Sequence, residues 1–204
     1  VPPFTVLHVC MGNICRSPMA ERLLAREVQE RLGRQGPTDP GRADELVHSH
    51  SAGTGGWHAG EEMNPPAARQ VTARGGDVAG FAARKLRSDQ IDAADLVLTA
   101  TADQQEYVVA LRPDAAGRTF VLGEFGRLLA AVDADALPPA AATPDAVYAR
   151  GVALVDAAHA AREGAASLPA DDLDDPWGRG DQCFHRVADE IEETVRPLAA
   201  VLLP

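Results

Sequence analysis

The chain has 204 residues, 46% of them hydrophobic, a formal net charge of -11 and three cysteines. That length supports one sizeable core without demanding a second domain, and so acidic a surface repels nucleic acid and anionic lipid, which excludes both as expected partners. An odd number of thiols, no recognisable secretory signal and no long apolar span give the expectation of a reduced, cytoplasmic protein.

Residues 5–9, TVLHV, read as a buried strand, and Pro18 opens a helical pattern. Between them lies CMGNICRS at positions 10–17, a tight strand-to-helix loop. Backbone N–H groups in such a loop converge on one point, where they and the positive end of the following helix can hold phosphate oxygens. Arg16 adds a planar fork of donors, and the same field favours a negatively charged sulfur at Cys10. Gly12 permits a positive φ, Asn13 tolerates a left-handed conformation and braces the loop with its amide, and Ser17 caps the helix while its hydroxyl points back to the sulfur. The nucleotide-binding string Gly-x-x-x-x-Gly-Lys-Ser/Thr is absent.

Apolar spacing then predicts a helix over 18–32 with Gly33 as its C-cap, a surface loop over 34–43, and a second strand over 46–51. Asn64 and Pro65 read as N-cap and first helical residue of a helix ending at Gly75 and Gly76. Residues 95–99 form a third strand, Thr101 and Gln104 a capping box opening a helix toward Leu111, and 119–122 a fourth strand. Strands alternating with helices imply a parallel sheet wrapped on both faces, with the loop at the carboxyl end of a strand. Residues 132–144 are rich in Ala and Pro, and 145–163 return to a helical pattern, so about 132–165 reads as an inserted linker and helix that packs peripherally or serves as a lid or partner surface. A closing amphipathic helix begins at Cys183, with Pro197 expected to kink or end it.

The string VCMGNICRSPMAE at 9–21 resembles the signature of the low-molecular-weight protein tyrosine phosphatases. The likeness continues through SAGT at 51–54 with Trp57 and His58, ADLVL at 94–98 and DPW at 175–177. It implies a single domain over 1–204 with the α/β fold of that family, a three-layer sandwich around a four-stranded parallel sheet, interrupted by the insertion. It also implies a cysteinyl-phosphate mechanism with no metal or cofactor. Cys10 would attack phosphorus, Arg16 and the amides of Met11, Gly12, Asn13, Ile14, Cys15, Arg16 and Ser17 would bind the phosphate, and Asp175 would protonate the leaving phenol. Asp171, Asp172 and Asp174 are expected to keep Asp175 protonated by like-charge repulsion.

Trp57 and Trp177 would wall a slot for an aryl phosphate, and the apolar Ile14 favours a phenyl ring where arginine phosphatases of similar sequence tend to carry threonine. Gly178 follows Trp177 where relatives usually have a second aromatic. The expected partner is a phosphotyrosine protein, the chain acting as a monomer or weak dimer. Cys15 lies close enough to Cys10 in sequence to act as a redox partner that shields the nucleophile, and Cys183 reads as structural. Alternatives are a protein-arginine phosphatase, a non-enzymatic phosphoprotein binder, and a thioredoxin-coupled arsenate reductase, whose relay cysteines after the third strand are lacking here. Phe81 and Thr101 stand where the family often has polar groups supporting the loop, so bracing falls to other residues such as His8, Ser51 or Thr54. For His8 a satisfied core histidine is the plainer reading.

Overall fold

A computed structural model describes residues 1–204, the side chain of Pro40 apart. Runs of Val, Leu and Phe form three strands, the more polar VHSHSAG at 47–53 pairs beside the first of them as a fourth, and the segments between them close as helices. In chain order these are β1 (Phe4–Cys10), α1 (Arg16–Gly33), α2 (Pro40–Leu46), β2 (Val47–Gly53), α3 (Pro65–Ala73), α4 (Ser88–Ala93), β3 (Leu96–Thr99), α5 (Ala102–Leu111), β4 (Thr119–Val121), α6 (Leu122–Leu129), α7 (Pro144–Ala161) and α8 (Asp181–Leu202). The sheet order is β2-β1-β3-β4, and every neighbouring pair is parallel.

Alternation along β1 divides the core. Phe4, Val6 and Cys10 face a large cluster with Leu23, Leu24 and Val28 of α1 and Val187, Ile191 and Val195 of α8. Leu7 and Val9 face a smaller one with Ile91 of α4 and Val108 of α5. From β1 the chain steps one way to β2 and later the other way to β3, so the order reverses at the carboxyl end of β1. That crevice is where open α/β sheets bind ligands, and Cys10 is the last residue of β1.

Helix α7, between α6 and α8, does not approach this end. α7 buries Val147, Leu154 and Ala158 in the core, and a Cβ on its Gly151 would stand 2.5 Å from the Phe4 ring, so the helix backbone lies against the start of β1. Seven strand residues separate that point from the loop, about 20 Å at an ordinary strand rise. Arg150 ties α7 down by donating to the carbonyls of Pro138 (2.7 Å) and Val201 (2.5 Å). Of the expected roles, peripheral packing fits this placement and a lid does not.

Several expectations are corrected. The first helix begins two residues earlier, at Arg16, and runs through Gly33 to an Arg34 cap. Part of the expected loop is α2, opened by the Asp39 side chain accepting from the Arg42 N–H. Asn64 stands at the N-cap without a side-chain cap bond; its N–H is spent on the Ile14 carbonyl at 2.9 Å. The capping box at Thr101 is half formed, because Gln104 accepts from the Thr101 N–H at 2.7 Å while the buried Thr101 hydroxyl has no partner. Leu122 starts α6 rather than ending a strand. α8 passes through Pro197 to Leu202; Leu198, Ala199 and Leu202 beyond it are fully buried, and their burial outweighs the hydrogen bond that proline cannot donate.

Candidate active site

Asn13 sets the loop's shape. It is the left-handed residue, at φ 57°, as its tolerance of that conformation allows, whereas Gly12, which permits a positive φ, does not adopt one. Close approach accounts for the glycine, since a Cβ at Gly12 would sit 3.1 Å from the His58 ring. Asn13 is fully buried and uses its whole amide. Its Nδ2 donates to Ser17 Oγ and to Ser51 Oγ, each at 2.9 Å, and its Oδ1 accepts from the Arg84 N–H at 2.9 Å.

These bonds fix the direction of the protons. Ser51 Oγ, having accepted from Asn13, donates to Glu21 Oε1 at 2.7 Å. Ser17 Oγ, having also accepted from Asn13, has its own proton for Cys10 Sγ at 2.9 Å. The Asn13 N–H reaches the same sulfur at 3.3 Å, and two donors aimed at one sulfur suit a thiolate acceptor. Ser17 therefore serves the sulfur from inside α1, while Cys15 occupies the cap position without a side-chain cap bond.

The question of what replaces the expected polar braces has a clear answer. The main-chain N–H of Arg84 supplies a donor to the loop through Asn13, and Phe81 is buried with the Arg22 guanidinium 5.7 Å from its ring centre. Ser51 braces the loop by its hydroxyl. Thr54 does so only through its N–H on the Cys10 carbonyl, 2.9 Å. His8 lies beneath, donating from Nε2 to Ser49 Oγ at 3.1 Å, because Ser49 itself donates to the Glu21 carbonyl. Burial, with the charge of His50 second, lowers the His8 pKa to about 3.

Above the loop is a cleft of about 190 Å³ lined by residues that include Cys10, Ile14, Cys15, Arg16, Trp57, His58, Asp175 and Trp177. Both tryptophans are largely exposed at its mouth rather than core residues. Arg16, nearly buried, donates from one terminal nitrogen to the Leu173 carbonyl at 3.1 Å, and its other terminal nitrogen is 3.8 Å from Asp175 Oδ2. Burial pushes the Cys15 thiol up to about 12, with Cys10 and then Asp175 adding to the effect. Cys183 sits half-buried on α8, its sulfur 3.6 Å from an Arg186 nitrogen. Among the described residues no cluster of three His, Cys, Asp or Glu side chains is arranged to hold a metal ion, and no helix is long and apolar enough to cross a membrane.

The acidic run behaves differently from the expectation of mutual repulsion. Asp171 is clasped by Arg127, Asp172 accepts from the Ala102 N–H, and Asp174 pairs with Arg186 and Arg179. Asp171 and Asp174 are thus paired with arginines and Asp172 with a main-chain N–H, and the nearest ionic partner of Asp175 is Arg16. Two residues of the site were not singled out from sequence. Glu21 ends the serine–asparagine chain; its signal was an acid on the buried face of an amphipathic helix. His58, beside Trp57, lines the cleft with Nδ1 2.6 Å from Glu61 Oε2.

A family model described as low molecular weight phosphotyrosine protein phosphatase matches residues 5–161. The low molecular weight protein-tyrosine-phosphatase of Streptomyces coelicolor is 34% identical over 139 residues, covering 67% of this chain and 77% of that protein. Among solved structures, a protein tyrosine phosphatase from Entamoeba histolytica superposes with a TM-score of 0.65 at 20% identity, covering 96% of this chain and 94% of its own. The YwlE arginine phosphatase from Geobacillus stearothermophilus gives 0.60 at 25% identity, covering 97% and 92%. Asp175 lies beyond the residues matched by the family model, so its place in the site rests on the geometry above.

Proposed function

Since the chain belongs to the low molecular weight phosphotyrosine protein phosphatase family, a family of hydrolases, we propose that it hydrolyses phosphotyrosine in proteins through a cysteinyl-phosphate on Cys10. The observation that carries the assignment of roles is the meeting of Cys10, Arg16 and Asp175 in one cleft, from sequence positions far apart. The Cys10 sulfur attacks phosphorus in line with the departing phenolate; the S–P bond forms as the P–O bond breaks. Asp175 gives its proton to the phenolate oxygen, whose conjugate acid has a pKa of about 10. Water then attacks the phosphocysteine, Asp175 takes its proton, and inorganic phosphate leaves with the thiolate restored. Arg16 and the loop amides from Met11 to Ser17 stabilise the equatorial oxygens in both steps.

Ile14, Trp57 and Trp177 form an apolar throat that suits a phenyl ring. The similarity to an arginine phosphatase makes phosphoarginine the comparison substrate; Ile14 weighs against it. Cys15, a protonated thiol in the same cleft, is the resolving partner for Cys10: a peroxide that oxidises the Cys10 thiolate to a sulfenic acid would leave Cys15 to displace water and close a reducible disulfide. Free cysteines in the site and an acidic surface suit a cytoplasmic protein that acts as a monomer or weak dimer on phosphoproteins, and residues 1–204 are read as one domain carrying an insertion.

The test is hydrolysis of para-nitrophenyl phosphate, phosphotyrosine peptide and phosphoarginine peptide. Cys10→Ser should abolish turnover, and Asp175→Asn should lower kcat/KM for phosphotyrosine by about 100-fold. Wild-type turnover no greater than that of Cys10→Ser would overturn the assignment, and preference for phosphoarginine would replace the substrate.

A further inference from the structure

The segment bearing Asp175 is fastened from behind, at the base of the long excursion through α7. α6 presents Gly123 and Arg127, four positions apart and therefore on one helix face. A Cβ on Gly123 would meet the Asp171 carbonyl oxygen at 2.5 Å and the Asp171 Cα at 2.9 Å, so the loop backbone rests directly on the helix. Arg127 donates from Nε to Asp171 Oδ1 at 2.8 Å and from a terminal nitrogen to Oδ2 at 2.7 Å. Asp171 is 4% exposed, and its Oδ2 also accepts from the Leu168 N–H at 2.6 Å. Two residues on, the Leu173 N–H donates to the Ala100 carbonyl at 2.8 Å and the Leu173 carbonyl accepts from Arg16. Asp175 follows after two more.

We propose that Arg127 and Asp171 are positioning residues for the reaction: their clasp closes the α7 excursion at its base and holds Asp175 at the mouth of the cleft. The inference rests on the reading of Asp175 as the general acid. Without the clasp, the segment leading to Asp175 would hang from more than 40 residues that return from the far end of the sheet, and the order needed to present one carboxyl group would have to come from Asp172, Leu173, the Asp174–Arg186 pair and the start of α8. A bidentate guanidinium–carboxylate pair fixes direction as well as distance, which suits a positioning role. The Arg127 fork also holds the Asp171 carboxyl below the usual carboxylate range.

Because kcat/KM reports the first phosphoryl transfer, it is measured over a series of aryl phosphates from nitrophenol to tyrosine as leaving group. The enzymes compared are wild type, Arg127→Gln, Arg127→Lys, Asp171→Asn and Asp175→Asn. Misplacing the acid should lower kcat/KM for phosphotyrosine about 10-fold in Arg127→Gln and Asp171→Asn, and less than about 3-fold for the nitrophenyl ester, whose leaving group needs little protonation. Arg127→Lys, keeping charge without the fork, should fall between, and inhibition by inorganic phosphate should stay within about 2-fold of wild type in the Arg127 and Asp171 variants. Should Arg127→Gln fail to fold, Asp171→Asn carries the test, since it neutralises the buried carboxylate instead of orphaning it. Equal losses across the series, or none, in these variants while Asp175→Asn shows a steep dependence would overturn the clasp. A flat series for Asp175→Asn would overturn the acid itself.

Discussion

Acidification from pH 7 to pH 5 should destabilise the protein through His8 by an amount that can be worked out. The ring is 1% exposed on β1, its Nε2 donates to Ser49, and its Nδ1 has no partner. Burial first and His50 second bring its pKa from 6.5 to about 3. A depressed folded pKa means that the unfolded chain takes up a proton below 6.5 while the folded chain stays neutral. The stabilisation is therefore complete above that value and lost as pH falls toward 3. Between pH 7 and pH 5 the unfolded state gains about 2 kcal/mol from this one group. His50, lowered by burial and His48 to about 4, acts in the same direction, discounted because part of the ring meets water. Urea unfolding of wild type and His8→Gln at the two pH values checks the figure. Glutamine keeps a donor for Ser49 and cannot titrate, so the wild-type loss should exceed the variant's by about 2 kcal/mol; equal losses would refute a neutral, buried His8.

Ser51→Ala leaves an Asn13 N–H and a Glu21 oxygen buried without partners, which should cost about 2–4 kcal/mol in denaturant unfolding and weaken phosphate inhibition as Asn13 loosens from its left-handed geometry. Arg150→Met frees two carbonyls near α7 and should cost about 1–3 kcal/mol in the same assay, while kcat on para-nitrophenyl phosphate stays at the wild-type value, because α7 packs at the opposite end of β1 from Cys10; a fall in kcat would restore the lid.

What could be read from sequence was what is local. The loop from Cys10 to Ser17 is contiguous, so residue types and spacing alone suggested a sulfur, a guanidinium and a left-handed turn; Asn13 takes that turn, and Gly12, which could also have taken a positive φ, is instead needed for its close approach to His58. The parallel sheet followed from alternation of strand and helix. Bracing was not legible, because the donor to Asn13 is the main chain of Arg84, which has no side-chain signature, and the acceptor beyond Ser51 is Glu21, read as one more helical charge. Nor could the acidic run be interpreted from its composition. Charges that look mutually repulsive in a string are separated once Asp171 meets Arg127 and Asp174 meets Arg186 across space.

That separation alters how the acid must work. The charged group that faces Asp175 most closely is Arg16, inside the cleft. Arg16 binds the Leu173 carbonyl with one arm and faces Asp175 at 3.8 Å with the other. An ionised Asp175 and a phosphate dianion compete for that arm, and a protonated Asp175 does not. On the proposed assignment of roles, entry of substrate would therefore favour the form of Asp175 that can donate a proton, and departure of phosphate would return the carboxylate to Arg16. The Leu173 bond would keep the guanidinium in place through the exchange, so that one arginine would join the phosphate loop to the acid loop.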